Sequence, residues 1–277
     1  MLIVPWTGKL VSGKLLQRRH RFLLDVLLDS GEKIVAHCIN PGRMEGLVRP
    51  GARIWLSHAQ SPKRNLKWVW ELIEIEGTLI CTNSWSANKI VKALLDAKAI
   101  SGFKKYKTIS EEVRLGTKTR IDFCVQQAKK SHFVEVKSVQ QVCSGVGYFP
   151  NSTVLRSQSH LKALLRIINS GHRATLLAVV QRNDAELFRP SDLHDPVFAK
   201  ALRIASRKGL VVRALLVEPT TKGFKFHGDL PVDLKPYETT ELEEWRKDMK
   251  EFSGWVQTKG NPNAAWRKSN PKSSNQH

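Results

Sequence analysis

Arg120 to Ser138 reads RIDFCVQQAKKSHFVEVKS, and the organisation of the chain follows from this stretch. Two apolar runs, 121–125 and 133–139, flank a polar, lysine-containing segment short enough to be a turn, which is the pattern of an antiparallel hairpin. Both runs carry charge where a buried strand should not. Glu135 and Lys137 are two residues apart and so point to one face, and pairing of the hairpin can bring Asp122 up beside them. Two carboxylates forced together repel unless a cation sits between them, and oxygen ligands on rigid backbone suit Mg2+ or Mn2+. The ammonium of Lys137 can then orient a water or stabilise charge developing on a phosphate. The alternative is an edge hairpin whose charges form a solvated ion pair, an interaction worth little.

Upstream of this hairpin the pattern is all strand. The runs 10–17, 22–28, 33–38, 52–57 and 67–82 are separated by turn signals such as Asp29-Ser30-Gly31, Pro50-Gly51 and Glu76-Gly77. About five strands without a helix predict a small barrel of the oligonucleotide/oligosaccharide-binding (OB) kind over residues 1–82. Basic residues cluster on it: Arg18, Arg19 and Arg21 on one segment, Lys63 and Arg64 on a loop. These arginines and lysines are expected to contact phosphates. Trp68 and Trp70 suit either a base-stacking platform or the barrel core. His37-Cys38-Ile39-Asn40-Pro41-Gly42 ends a strand in a turn, and Asn-Pro-Gly accounts for it better than nucleophilic chemistry does.

From residue 83 onward helices enter. A helix over 83–99, with Ser84 or Ser86 as cap, precedes the hairpin; helices over 155–168 and from Asp195-Pro196 alternate with strands over 174–180 and 211–217 afterwards. The order predicts an α/β domain over 83–234, a mixed sheet with helices on both faces. Residues 235–277 should hold a short docked helix, capped by Thr240 with Glu243 and carrying the stripe Leu242, Trp245, Met249, Phe252, followed by a disordered, lysine-rich tail with Trp266.

The 277 residues carry 45 Lys+Arg against 25 Asp+Glu, a net charge of +20, which points to a polyanionic partner, nucleic acid before membrane surface. Cys38, Cys81, Cys124 and Cys143 form no C-x-x-C, so neither a zinc ribbon nor a disulfide framework is expected. No secretory leader and no run of 18 apolar residues is present, the profile of a cytoplasmic protein.

Asp on the second strand and Glu-x-Lys on the third resemble the PD-(D/E)xK nuclease core. The chain up to about residue 234 further resembles the sugar fermentation stimulation proteins, through His37-Cys38-x-Asn40-x-Gly42, Trp70-Glu71-Leu72, Asn88, Arg120-Ile121-Asp122-Phe123, Glu135-Val136-Lys137-Ser138-Val139, Gly147-Tyr148-Phe149-Pro150 and His160-Leu161. The resemblance implies an OB-like domain joined to a PD-(D/E)xK-like domain, DNA binding without sequence preference, and a regulatory role in maltose metabolism. It matches Asp122 and Glu135 to metal-binding carboxylates and Lys137 to the nuclease lysine, all three catalytic if the site is active. Glu112 would be a third metal ligand, and Asn88 stands where many such nucleases carry Glu. Arg156 and His160, on the helix after the third strand, would reach a DNA phosphate. An active Mg2+-dependent nuclease, a regulatory protein with an idle site and an RNA-binding module are the competing functions. No motif encodes the strandedness of the DNA or the oligomeric state.

Overall fold

The computed structural model describes residues 2–59, 65–116, 119–127, 130–153 and 155–257. Lys63, Arg64 and the tail with Trp266 lie outside the described residues, as does the side chain of Arg156.

The first strand, β1 (Leu2–Pro5), does not join the barrel that follows it. It pairs antiparallel with a strand near residue 225, Leu2↔Phe226 to Pro5↔Gly223, so the start of the chain belongs to the sheet of the second domain. The barrel comprises β2 (Val11–Arg19), β3 (Leu23–Leu28), β4 (Lys33–His37), β5 (Arg53–His58) and β6 (Trp68–Ile75), and β7 (Thr78–Cys81) extends β6. Four antiparallel pairings run β4-β3-β2-β5-β6, and a parallel pairing of β4 with β6 at Ala36↔Trp68 and His37↔Val69 closes the ring. This is the expected five-stranded OB barrel. Glu76 and Gly77, both at positive φ, make the two-residue turn between β6 and β7, the twist that matches a right-handed hairpin. Alternate residues fill the barrel, among them Leu15, Leu24, Val26, Ile54, Leu56 and Trp70. Trp70 is therefore core, its indole N–H donating to the Leu72 carbonyl at 3.0 Å, while half-buried Trp68 stacks on His58 at 3.9 Å.

The second domain runs α1 (Ser86–Asp96), β8 (Thr108–Leu115), β9 (Thr119–Gln127), β10 (Lys130–Val139), β11 (Gln141–Cys143), β12 (Val146–Phe149), α2 (Leu155–Asn169), β13 (Arg173–Val180), β14 (Leu187–Pro190), α3 (Pro196–Arg207), β15 (Val211–Thr220) and β16 (Gly223–Leu230). Its main sheet has the order β1-β16-β15-β13-β10-β9-β8, and β10, β13 and β15 are parallel while the flanking pairs are antiparallel. The αβββαβ order of the expected nuclease-like core is present in α1, β8, β9, β10, α2 and β13. Ile90, Val91, Leu94 and Leu95 of α1 pack on one face against Val134, Val136 and Leu177. Leu161, Leu164 and Ile167 of α2, with Phe198 and Leu202 of α3, cover the other against Phe133 and Leu176.

Helix starts differ in detail from expectation. Among the described residues no side chain caps α1, whose N-cap is Trp85; ahead of it Asn83 Oδ1 accepts the Trp85 N–H at 3.0 Å and so shapes the turn that leads into the helix. At α3 the Asp195 carboxylate accepts the Phe198 N–H at 2.8 Å with Pro196 at the first helical position, as the sequence predicts. The last helix, α4 (Thr240–Asp248), has Thr239 and not Thr240 at its cap, and the Thr239 hydroxyl bonds the Glu243 carboxylate at 2.6 Å. This helix docks through buried Leu242 onto Cys143 and Tyr148. The chain beyond it returns to the barrel: the Val48 N–H donates to the Phe252 carbonyl, the Gly254 N–H to Arg43, and Val256 bridges Arg19.

Candidate functional site

Strand alternation creates the site. Val134 and Val136 of β10 enter the α1 core, so Glu135 and Lys137 between and beyond them project to the opposite face, toward α2. There the Lys137 ammonium donates to Glu135 Oε1 at 2.6 Å, and His160 Nδ1 of α2 bonds the same oxygen. On the neighbouring strand the ladder stops at Phe123↔Val134. Past that point Asp122 bonds through its side chain: Oδ2 accepts the Val136 N–H at 2.7 Å, and Oδ1 accepts from Asn88 Nδ2 of α1 at 2.8 Å. Asp122, Glu135, Lys137 and His160 line one cavity of about 290 Å³. The convergence expected from D-x12-E-x-K is observed, which excludes the solvated edge hairpin: Glu135 is only 2% exposed.

The electrostatics follow from burial. Desolvation, and after it the charge of Glu135, pushes the Asp122 carboxyl up to about 6. Burial opposes charge on Glu135 as well, but Lys137 and His160 outweigh it and hold that carboxyl below the ordinary glutamate value. Glu135 Oε2 is buried and has no hydrogen-bond partner among the described residues. An ionised carboxylate oxygen left bare is costly, and a hard cation is the group that fits it. Among the described residues no three His, Cys, Asp or Glu side chains are gathered as a ligand set. The donors at hand are two carboxylates, with the amide of Asn88 in the same cavity; water would complete the shell, as Mg2+ commonly retains several waters.

Other expected site residues are placed elsewhere. Glu112 stands across the ladder from Asp122 but at φ +49°, and its exposed carboxylate faces Arg120 at 3.8 Å, turned away from the cavity. Arg18 is not a phosphate ligand. A register shift between Leu15 and Gln17 changes the alternation of β2, so that Arg18 points inward and is 1% exposed. Its guanidinium donates to the carbonyls of Arg21, Asn40, Gly42 and Gly254 at 2.9, 2.8, 2.9 and 3.3 Å. Arg19 is clamped on Asp25 at 2.5 and 2.6 Å. Exposed Arg21 lies 4.7 Å from the Trp255 ring.

Sequence reasoning also missed half of the cavity wall. Asn40 and Pro41 come from the barrel, Gln140 follows β10, Phe149 ends β12 and Asn151 lies just beyond it. The Asn-Pro-Gly turn signal at 40–42 masked the side chain of Asn40, which faces the second domain and donates to Gln140 Oε1 at 2.5 Å. A pair of glutamines directly after a strand of the core was the available signal at Gln140.

Comparisons with known proteins agree with this architecture. Residues 16–82 match the model of the SfsA N-terminal OB domain, and residues 86–223 that of the sugar fermentation stimulation protein RE domain. A sugar fermentation stimulation protein homolog of Geotalea uraniireducens is 37% identical over 223 residues, spanning 80% of this chain and 96% of its own. One from Pseudoalteromonas atlantica is 41% identical over 210 residues, 75% of this chain and 90% of its own. Among solved structures, Pyrococcus furiosus SfsA in complex with Ca2+ matches with a TM-score of 0.77 at 22% identity, covering 84% of this chain and 99% of that one. That likeness is one of fold.

Proposed function

The chain belongs to the sugar fermentation stimulation protein family, and on that premise we propose that it binds DNA without sequence preference and hydrolyses phosphodiester bonds in the cleft of its second domain with Mg2+ or Mn2+. The observation that carries this reading is Glu135, a carboxylate held ionised in a buried site with Oε2 unpartnered, in one cavity with Asp122 and Lys137. A bound divalent cation supplies Lewis acidity to the phosphate and acidifies water. Asp122 and Glu135 are the residues that would hold it. Asn88 and the Val136 N–H keep Asp122 oriented, and His160 and Lys137 keep Glu135 oriented, as outer partners do at metal sites. The Lys137 ammonium stabilises the negative charge that develops as water adds to phosphorus. One P–O ester bond breaks, its oxygen takes up a proton, and the products are a phosphate monoester and a free hydroxyl.

Affinity for DNA comes from the +20 charge. A second cavity of about 340 Å³, beside the loop that carries Asn40, is lined by Arg43, Lys247 and Lys250 together with Glu243 and the Arg246–Glu45 ion pair; its lysines and Arg43 are the groups that would meet a backbone phosphate.

A second reading, a DNA-binding regulator of sugar metabolism with an idle cleft, has one observation in its favour. Asn88 stands hydrogen-bonded to Asp122 while Glu112 is turned away, which leaves two carboxylates for the cation. A cleavage assay on single-stranded, duplex and branched DNA with Mg2+ or Mn2+ separates the two. Cleavage by the wild type that is abolished in Asp122→Asn and Lys137→Ala supports the enzyme; binding of cation and DNA without cleavage supports the regulator.

A further inference from the structure

The cleft holds a second buried polar atom without a partner. Gln140 is 5% exposed and lines the same cavity as Asp122, Glu135 and Lys137, yet its Nε2 makes no hydrogen bond among the described residues. Which end of this amide stands bare is set by its neighbours. The Gly42 N–H donates to Asn40 Oδ1 at 2.9 Å, which turns the Asn40 Nδ2 outward; that Nδ2 donates to Gln140 Oε1 at 2.5 Å. Reversing Gln140 would set two N–H2 groups against each other. The relay is itself held, because Arg18 donates to the Asn40 carbonyl at 2.8 Å and Arg182 to the Gln140 carbonyl at 3.0 Å. A side chain at Gly42 would begin 3.0 Å from Asn40 Oδ1, so glycine there keeps the relay undisturbed.

An N–H2 group buried without an acceptor is unfavourable, and a methionine of similar shape would relieve it. Glu135 Oε2, an acceptor, is bare in the same cavity. Two residues that line one cavity, one with an unused acceptor and one with an unused donor, suit a ligand that brings a cation to the carboxylate and an anion to the amide.

We propose that Gln140 Nε2 donates a hydrogen bond to a non-bridging oxygen of the phosphate bound in this cleft, and that Asn40 of the OB barrel is the positioning residue that keeps the amide donor facing inward. The proposal rests on the reading of the cleft as a phosphodiester site. It makes the barrel a structural part of that site, since the acceptor end of Gln140 is occupied only by virtue of a residue from the other domain.

The test uses the full chain, Mn2+ or Mg2+, and DNA oligonucleotides carrying a single phosphorothioate of defined configuration at the cleaved position. Sulfur accepts hydrogen bonds poorly, so the wild type should be slowed by sulfur at the oxygen facing Gln140. Gln140→Met should cleave all-oxygen DNA about a hundredfold to a thousandfold more slowly, the usual effect of removing one oxyanion donor. It should keep DNA affinity and lose the sulfur penalty for one diastereomer alone. Asn40→Asp should do the same, because a carboxylate cannot donate and Gln140 would turn its N–H2 toward it; this variant serves if Gln140→Met does not fold. An active wild type whose variants keep its rate, or are slowed with sulfur discrimination intact, overturns the proposal and leaves the cleft reading standing. A wild type that cleaves no DNA overturns both.

Discussion

The Asp122 carboxylate accepts the backbone N–H of Val136 at 2.7 Å, so a side chain takes the place of the ladder acceptor that β9 would otherwise offer β10. One bond thereby ends the pairing of the hairpin and fixes the carboxylate beside Glu135. The same stretch of β10, Glu135 to Ser138, together with Asp122, forms the sheet side of the cavity, which α1, α2 and the loop that carries Asn40 complete.

Cation binding should depend on Asp122 and on pH. Mg2+ or Mn2+ titrated calorimetrically into the protein at pH 7.5 should bind, and Asp122→Asn should weaken binding at least about tenfold, through loss of a carboxylate ligand. Because the metal-free carboxyl titrates at about 6, proton and cation compete below that pH, and apparent affinity should fall about tenfold for each further unit. Affinity that is flat from pH 5 to 8 would place the cation elsewhere.

His132 should limit acid stability. It is 9% exposed, bonded through Nε2 to the Thr175 hydroxyl at 2.8 Å and stacked on Phe103, and burial together with Arg173 and Arg213 pushes it down to about 4. In the unfolded chain it titrates near 6.5, so between these values the unfolded state binds more protons. Its contribution is intact above about pH 6.5 and is lost as pH falls toward 4, up to about 3 kcal/mol. His132→Gln should flatten the acid limb of a urea-midpoint profile between pH 6.5 and 4; an unchanged limb refutes the assignment.

Arg18→Met should destabilise the fold by about 3–5 kcal/mol, since it takes the Arg18 donor from the carbonyls of Arg21, Asn40, Gly42, Arg43 and Gly254. DNA affinity of the folded fraction should be unchanged, and Arg21→Ala should show the reverse, weaker binding at an unchanged melting temperature. A weakened affinity with normal stability in Arg18→Met would restore Arg18 to the phosphate surface.

Truncation after residue 234 should lower the melting temperature by on the order of 5 °C or more. It removes Leu242 from its pocket, Arg246 from Glu45 at 2.9 Å, and the Gly254 carbonyl from Arg18. The readout is differential scanning calorimetry, and an unshifted transition would show that the extension is docked without contributing to stability.

Much of this molecule is local in origin. Period-two patterning, glycine turns such as Glu76-Gly77, the Asp195-Pro196 helix start and the spacing of Asp122, Glu135 and Lys137 each act over a few residues, and each is readable in the chain itself. The strands β11 and β12, a hairpin of three and four residues, were too brief to read, and β14 and the first strand β1 were not readable because their partners are distant in sequence and their own patterns are short.

The sequence by itself determined the barrel, the mixed sheet and the acidic face of the hairpin, because alternation and turn chemistry dictate which side a residue takes on its own strand. Only the tertiary structure decided which charges serve the cleft and which serve the fold. A register shift in β2 buried Arg18, a left-handed residue turned Glu112 outward, and packing of the barrel against the second domain brought Asn40 to Gln140. Hydrogen-bond satisfaction across long separations is the physical reason: the partner of a buried polar group is chosen by what folds against it, and no local pattern records that choice.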